Sequence, residues 1–178
     1  MLIIEPIKAF DDNYIWLMTK NNKSVVVDPG DASEIVKLID NQAINLEGVL
    51  ITHHHYDHTN GLSELIEKKN LKVFGPRNNI SEINNIVGDS DQFDLIGIHF
   101  EVLEIPGHTL DHIAFYTFNN GNPVLLCGEI HSSQADVEEY SKEHFLKCLI
   151  LYKNCALCPK ILMFIVDTSI RILIFYLH

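Results

Sequence analysis

A run of metal-binding residue types stands between a predicted strand and a predicted helix. Four possible ligands fall within the six positions His53-His54-His55-Tyr56-Asp57-His58. In an extended segment alternate side chains share one side, so His53 and His55 can face the same metal ion. Asp57 and His58 follow at the turn, where they can face a second ion. Imidazole and carboxylate ligands together suit zinc, iron or manganese. The alternative is a set of solvated loop histidines.

A second histidine-bearing turn follows a later predicted strand, in residues 105–112. His108 is placed to complete a three-histidine site with His53 and His55. Such a site keeps an open position for water, as a catalytic metal site requires. His112 is expected to support the site or the fold rather than to bind metal.

Two acidic residues end other predicted strands. Asp28, in Val27-Asp28-Pro29-Gly30, either orients metal ligands through hydrogen bonds or simply forms the turn. Glu129, in Leu125-Leu126-Cys127-Gly128-Glu129, can bridge two ions from a strand end.

The elements that must position these side chains are those of a mixed α/β domain. Strands come first, strands and helices then alternate, and strands follow again. This order favours two sheets with helices outside over a simple doubly wound sheet. The predicted strands are residues 2–7, 14–19, 24–28, 48–52, 93–105, 113–118 and 124–127, and the predicted helices are residues 31–41 and 59–69.

Composition and charge narrow the class of protein. The chain has 178 residues, of which 47% are hydrophobic, enough for one domain with a core. Its net charge of −11 gives no basic footprint for nucleic acid or an anionic membrane.

The apolar residues 161–177 are interrupted by Asp167 and Arg171, which argues against a membrane anchor, the alternative for that segment. The first ten residues lack a signal-peptide pattern, which predicts a cytoplasmic protein with free thiols.

These segments together resemble the metallo-β-lactamase superfamily and, within it, the glyoxalase II (hydroxyacylglutathione hydrolase) family. The most specific match is Ala9-Phe10-Asp11-Asp12-Asn13-Tyr14-Ile15-Trp16, similar to that family's opening A-F-x-D-N-Y-I-W. Residues 27–32, 52–61 and 106–113 also match. The resemblance covers residues 1–128 and implies a metal-binding domain with an αββα sandwich, incomplete at its C-terminal end.

The resemblance also implies a ligand set. His53, His55 and His108 would hold the first ion, and Asp57 and His58 the second. Glu129 stands where the family has a bridging aspartate, and its extra methylene changes the reach of the carboxylate. Asp57 is in addition the predicted catalytic residue.

The implied activity is hydrolysis of a small-molecule glutathione thioester. Two divalent ions, zinc with iron or manganese as alternatives, would share a bridging hydroxide that attacks S-lactoylglutathione. The products would be D-lactate and glutathione, a step of methylglyoxal detoxification. The enzyme is expected to be a monomer.

Residues 129–178 depart from the family abruptly, and the genetic code offers an account. In the shifted reading frame, each codon consists of the third base of one original codon followed by the first two bases of the next. Permitted codons from Glu129 to His144 then spell Asp-Thr-Leu-Phe-Ser-Gly-Gly-Cys-Gly-Arg-Val-Phe-Glu-Gly-Thr, similar to the family's continuation. The same register spells Gly-His-Glu-Tyr-Thr between Val166 and Arg171. We therefore predict that this tail is an out-of-frame reading, from a frameshift or a sequencing error, and assign it no domain.

Two other functional outcomes stay open. Another hydrolase of the superfamily, such as a lactonase, or an iron-dependent persulfide dioxygenase would use the same ligand types, although residues 9–16 argue against both. The chain as written is alternatively an inactive truncated product, because a sandwich without its closing strands exposes apolar surface.

Overall fold

Two β-sheets packed face to face form the described part of the chain. The structure is a computed structural model, and it describes residues 1–10, residues 13–128 and the backbone of residues 162–164. The first sheet has six strands and the second has five. The predicted out-of-frame tail lies outside the described residues except for the backbone of its short strand, so it stays a prediction.

The first sheet has the strand order β1-β2-β3-β4-β5-β6. Its first three strands are antiparallel, and the pairs from β3 to β6 are parallel. The strands are β1 (Ile3–Ala9), β2 (Asn13–Lys20), β3 (Lys23–Val27), β4 (Leu46–Leu50), β5 (Lys72–Gly75) and β6 (Asn85–Ile86).

The second sheet pairs its strands in the order β11-β10-β9-β8-β7, antiparallel except where β11 joins β10. Its strands are β7 (Gln92–Leu95), β8 (Ile98–Glu104), β9 (Ile113–Asn119), β10 (Asn122–Leu126) and β11 (Leu162–Phe164). The helices are α1 (Ser33–Asp40), α2 (Tyr56–Thr59) and α3 (Leu62–Lys68).

Tight turns set the register of the hairpins. Asn21 and Asn22 join β2 to β3 with φ of 52° and 61°, and Asn120 and Gly121 join β9 to β10 with φ of 53° and 81°. Two central residues of positive φ fit the right-handed twist of a hairpin, and Asn and Gly adopt that conformation at the lowest cost. These turns fix which strand faces point inward.

The main core fills the space between the two sheets. Trp16, Val27 and Leu50 of the first sheet pack there with Phe100 and Phe115 of the second. A second apolar cluster lies on the other face of the first sheet, where α1 and α3 contribute Ile35, Leu62 and Leu65. Within the described residues helices therefore cover only the first sheet.

The predicted two-sheet α/β class is confirmed, although β5 and β6 were not among the predicted strands and two predicted elements differ in extent. Residues 93–105 form a hairpin rather than one strand, because Ile96 and Gly97 turn the chain with φ of 50° and 74°. The predicted helix 59–69 begins only at Leu62, as α3, because Thr59 ends the separate helix α2 and the NH of Gly61 donates to the carbonyl of Pro29 over 2.9 Å. No helix among the described residues is long and apolar enough to span a bilayer.

Candidate metal centre

The predicted ligands gather where several strands end. Asp28 follows β3, and His53 follows β4 after two further residues. Because β3 and β4 are parallel, their carboxyl ends meet at one edge of the sheet. The loop between β8 and β9 brings His108 and His112 to the same edge from the second sheet. The site therefore lies across the end of the sandwich.

The first group of possible ligands consists of His53, His55 and His108. One ring nitrogen from each lies within 4.8 Å of the others. Nε2 of His108 is 2.8 Å from Nδ1 of His55. Nitrogens bound to one tetrahedral zinc ion are about 3–4 Å apart, given Zn–N distances of about 2.0–2.1 Å. The group thus fits one metal ion with little adjustment.

Burial keeps His53 ready to bind a metal. Its side chain is 0% exposed, and its Nε2 has no hydrogen-bond partner among the described residues. Burial, followed by the nearby His58, His112, His108 and His55, lowers the pKa of His53 far below 6.5. The ring is therefore neutral at physiological pH, as a metal ligand must be. A buried ring nitrogen without a partner is costly unless something occupies it.

A second group combines His58 with two carboxylates. Asp28, His53 and His58 have ligand atoms within 4.8 Å of one another, and Oδ2 of Asp57 lies 3.4 Å from Nε2 of His58. The two carboxylates differ in how exposed they are. Asp57 is 35% exposed at its side chain, whereas Asp28 is 3% exposed.

Hydrogen bonds occupy both oxygens of Asp28. Oδ1 accepts the backbone NH of Thr52 over 2.8 Å, and Oδ2 accepts the Thr52 hydroxyl over 2.6 Å. Oδ2 also accepts Nδ1–H of His58 over 3.0 Å. Asp28 therefore orients His58 from behind, which leaves Nε2 as the ligand atom and Asp57 as the better carboxylate ligand. Of the two interpretations of Asp28, the geometry favours the orienting one.

Two residues at this edge, Asp28 and Gly128, have positive φ angles. Asp28 has φ of 52°, a conformation that few residues other than glycine adopt. Gly128, with φ of 59°, lies so close that an added Cβ would come 2.5 Å from the Thr52 hydroxyl. Strained backbone of this kind clusters at functional sites.

His112 has a supporting position. Its buried Nε2–H donates to the carbonyl of Cys127 over 2.7 Å. Burial lowers its pKa, although the Cys127 carbonyl and Asp28 act in the opposite direction. Within the described part of the chain, His112 belongs to neither ligand group.

Glu129 lies outside the described residues, so its predicted bridging role stays a prediction. The other predicted ligands, His53, His55, Asp57, His58 and His108, come together at one edge. Their roles as ligands stay predictions too, with the distances above in their favour.

A cleft of about 590 Å³ opens beside the first group, with His55 and His108 in its wall. Nδ1 of His54 lies 2.7 Å from Oδ1 of Asp111, and Asn78 donates to Oδ2 of the same carboxylate over 2.9 Å. Burial opposes ionisation of Asp111, but hydrogen bonds from Asn78, Thr109 and His54 outweigh it and lower its pKa. The cleft therefore has a polar wall with an ionised carboxylate.

Sequence reasoning missed the residues of this wall. His54 lies inside the histidine run and Asp111 lies beside His112, so their neighbours in the sequence could have marked both as site residues. Asn78 had none, because nothing in the sequence around it marks a site.

Comparisons with known proteins agree with the resemblance seen in the motifs. The sequence profile of the metallo-beta-lactamase superfamily matches residues 10–141. The hydroxyacylglutathione hydrolase of Chromohalobacter salexigens is 47% identical over 133 residues, which cover 72% of this chain and 51% of that protein. The protein of that name from Photobacterium profundum is 47% identical over 132 residues, with the same coverage. The chain thus spans about half the length of the curated relatives it matches.

Solved structures share the fold at lower sequence identity. ETHE1 from Myxococcus xanthus superimposes with a TM-score of 0.75 and 21% identity, over 96% of this chain and 78% of that one. The BLEG-1 B3 metallo-beta-lactamase gives a TM-score of 0.70 and 14% identity, over 93% of this chain and 90% of that one. At these identities the likeness establishes the fold alone.

Proposed function

The chain belongs to the metallo-beta-lactamase superfamily, and from that membership we propose that it is a metal-dependent thioester hydrolase of the hydroxyacylglutathione hydrolase type. The observation that carries the proposal is the convergence of three imidazoles on one point, where the buried Nε2 of His53 has no hydrogen-bond partner within the described part of the chain. The 47% identity to proteins of that name supports the substrate class. The predicted monomeric state and cytoplasmic location belong to the same proposal.

The donor set fits two divalent ions. His53, His55 and His108 would hold the first, and Asp57 and His58 the second, with Glu129 as a further predicted ligand. Such ions supply Lewis acidity and a coordinated water whose pKa is lowered to about 7, far below that of bulk water. Zinc suits this mixture of nitrogen and oxygen ligands, and iron or manganese are the alternatives.

The chain's own residues prepare the site for this chemistry. Burial keeps His53 neutral, and Asp28 fixes the ring orientation of His58. The cleft beside His55 and His108 has a volume within the range of small-molecule sites, about 300–1,000 Å³. We place the acyl end of S-lactoylglutathione in this cleft.

The reaction exchanges a carbon–sulfur bond for a carbon–oxygen bond. The oxygen of water bonds to the thioester carbonyl carbon, the carbon–sulfur bond breaks with its electron pair staying on the glutathione sulfur, and the water protons pass to the solvent and to the thiolate. A thiol with a pKa of about 8.5 leaves as the thiolate without a general acid. D-lactate and glutathione are the products.

The test uses the purified 178-residue chain loaded with zinc. Turnover of S-lactoylglutathione with two zinc ions per chain is expected, and turnover of a lactone instead would replace the proposal with the lactonase alternative. Asp57→Ala should lose the second ion and retain the first. A wild-type chain that binds no zinc, or binds two and hydrolyses neither substrate, would leave the inactive product as the correct interpretation.

A further inference from the structure

Asn13 lies at the first position of β2, within the opening motif of residues 9–16, and contacts the metal centre. Its side chain is 3% exposed. Nδ2 donates to the backbone carbonyl of Asp57 over 3.1 Å and to Oδ2 of the same residue over 3.2 Å. Oδ1 accepts the backbone NH of Tyr14 over 3.1 Å. Because Oδ1 is engaged by this NH, the amide can only present its NH₂ group to Asp57.

The oxygen that Asn13 holds is the one that faces His58. Oδ2 of Asp57 accepts the amide of Asn13 and lies 3.4 Å from Nε2 of His58. These two atoms are the proposed ligand atoms of the second ion. The helix that carries Asp57, α2, has only four residues and no side-chain cap. The carboxylate therefore depends on partners outside its helix for a fixed position.

Close packing against Gly30 fixes the backbone of Asp57 as well. A Cβ added at Gly30 would come 1.7 Å from the carbonyl oxygen of Asp57. That same oxygen accepts the amide of Asn13. Asp57 is thus held on its backbone and its side chain by two segments distant in sequence.

We propose that Asn13 is a positioning residue for the second metal ion, holding the Asp57 carboxylate against His58 before the ion binds. The inference rests on the proposed function, since it requires a second ion at Asp57 and His58. A hydrogen bond to a ligating carboxylate typically affects metal affinity by about 10–100-fold. Loss of Asn13 should weaken the second site by that factor and spare the first, because none of the three first-site histidines accepts its amide.

The experiment is a zinc titration of the full chain, with the two dissociation constants resolved by competition with a chelator. Asn13→Ala removes both donors. Asn13→Ser also removes the two amide N–H groups but keeps, on a shorter side chain, a hydroxyl oxygen able to accept the Tyr14 NH. Asn119→Ala is the matched control, because Asn119 also donates to a distant carbonyl, that of Leu2, over 3.1 Å.

The expected result is a second zinc affinity that falls about 10–100-fold in both Asn13 variants, with the first affinity and the Asn119→Ala protein unchanged. An unchanged second affinity overturns the inference and leaves the proposed function standing. Equal loss at both sites, or failure of both variants to fold, assigns Asn13 a structural role and also overturns it. A wild-type chain that binds fewer than two zinc ions removes the proposed two-ion centre and the inference with it.

Discussion

Oδ2 of Asp28 accepts Nδ1–H of His58 over 3.0 Å, and the two side chains are 3% and 0% exposed. This single contact decides which nitrogen of His58 faces the metal centre. With Nδ1 carrying the proton, Nε2 keeps its lone pair and points toward Asp57. The acidic residue of the Val27-Asp28-Pro29-Gly30 turn thereby prepares a ligand that stands 30 residues later.

Asp28→Asn should weaken the second zinc site by about 10–100-fold, because an amide cannot accept from all three donors that Asp28 serves. The unpaired buried donor should also lower the free energy of unfolding by about 1–3 kcal/mol. Zinc titration and urea denaturation measure the two effects. Asp40→Asn is the control, since Asp40 pairs with Lys68 at the surface and the loss of such a pair should change little. Equal behaviour of the two variants would contradict the orienting role.

Gly30→Ala should destabilise the chain by about 1–3 kcal/mol or more, because the new methyl group meets backbone rather than a movable side chain. The added carbon would lie 1.7 Å from the carbonyl oxygen of Asp57, so α2 must shift and carry the second-site carboxylate with it. Thermal unfolding and zinc stoichiometry test this. Gly107→Ala is the matched control, because its Cβ would meet nothing within 4 Å. A normal melting temperature for Gly30→Ala would refute the close packing.

The metal-free chain should lose stability as the pH falls below about 6.5. Burial lowers the pKa of His53 and of His112, so the folded state keeps both rings neutral. The unfolded chain binds protons on these rings below its own pKa, so acid favours unfolding by at most about 1–2 kcal/mol per ring between pH 6.5 and 5. Above the unfolded pKa these groups contribute no pH dependence. Urea denaturation across this range measures the slope.

The exposed His99 provides the control for the pH experiment, with a side chain that is 61% exposed. His99→Gln should show the same decline as the wild type. A free energy of unfolding that stays constant from pH 7 to pH 5 would be incompatible with two buried neutral rings.

His54→Ala should lower kcat/KM for S-lactoylglutathione by about tenfold, roughly the effect of one hydrogen bond. His54 lines the cleft through its contact with Asp111 and belongs to neither ligand group. Zinc content should therefore stay at two ions per chain. Loss of an ion would show instead that His54 supports the ligands, and unchanged kinetics would place the acyl group elsewhere.

Sequencing the genomic locus tests the frame of the tail. The codons for Glu129 to His144 should give the family-like segment when each triplet takes the third base of one codon and the first two of the next. Codons that do not spell those residues would eliminate the out-of-frame hypothesis. A confirmed shift would place an aspartate at the bridging position in the other frame.

The sequence alone predicted the fold class, which the structure confirms, and the histidine and aspartate residues of the candidate centre, which the structure brings together. Both are local signals: apolar strands and Asn-rich turns define the sheets, and His53 to His58 stand together in the chain. The family motifs then tied His108 to that run across 49 intervening positions.

Only the tertiary structure decided how the supporting residues are used. The contacts of Asn13 with Asp57, of Asp28 with His58 and of His54 with Asp111 span 44, 30 and 57 positions. Which residues meet over such separations depends on the register of β3 against β4 and on how the two sheets stack. No local pattern encodes that register, because it results from the packing of both apolar cores at once.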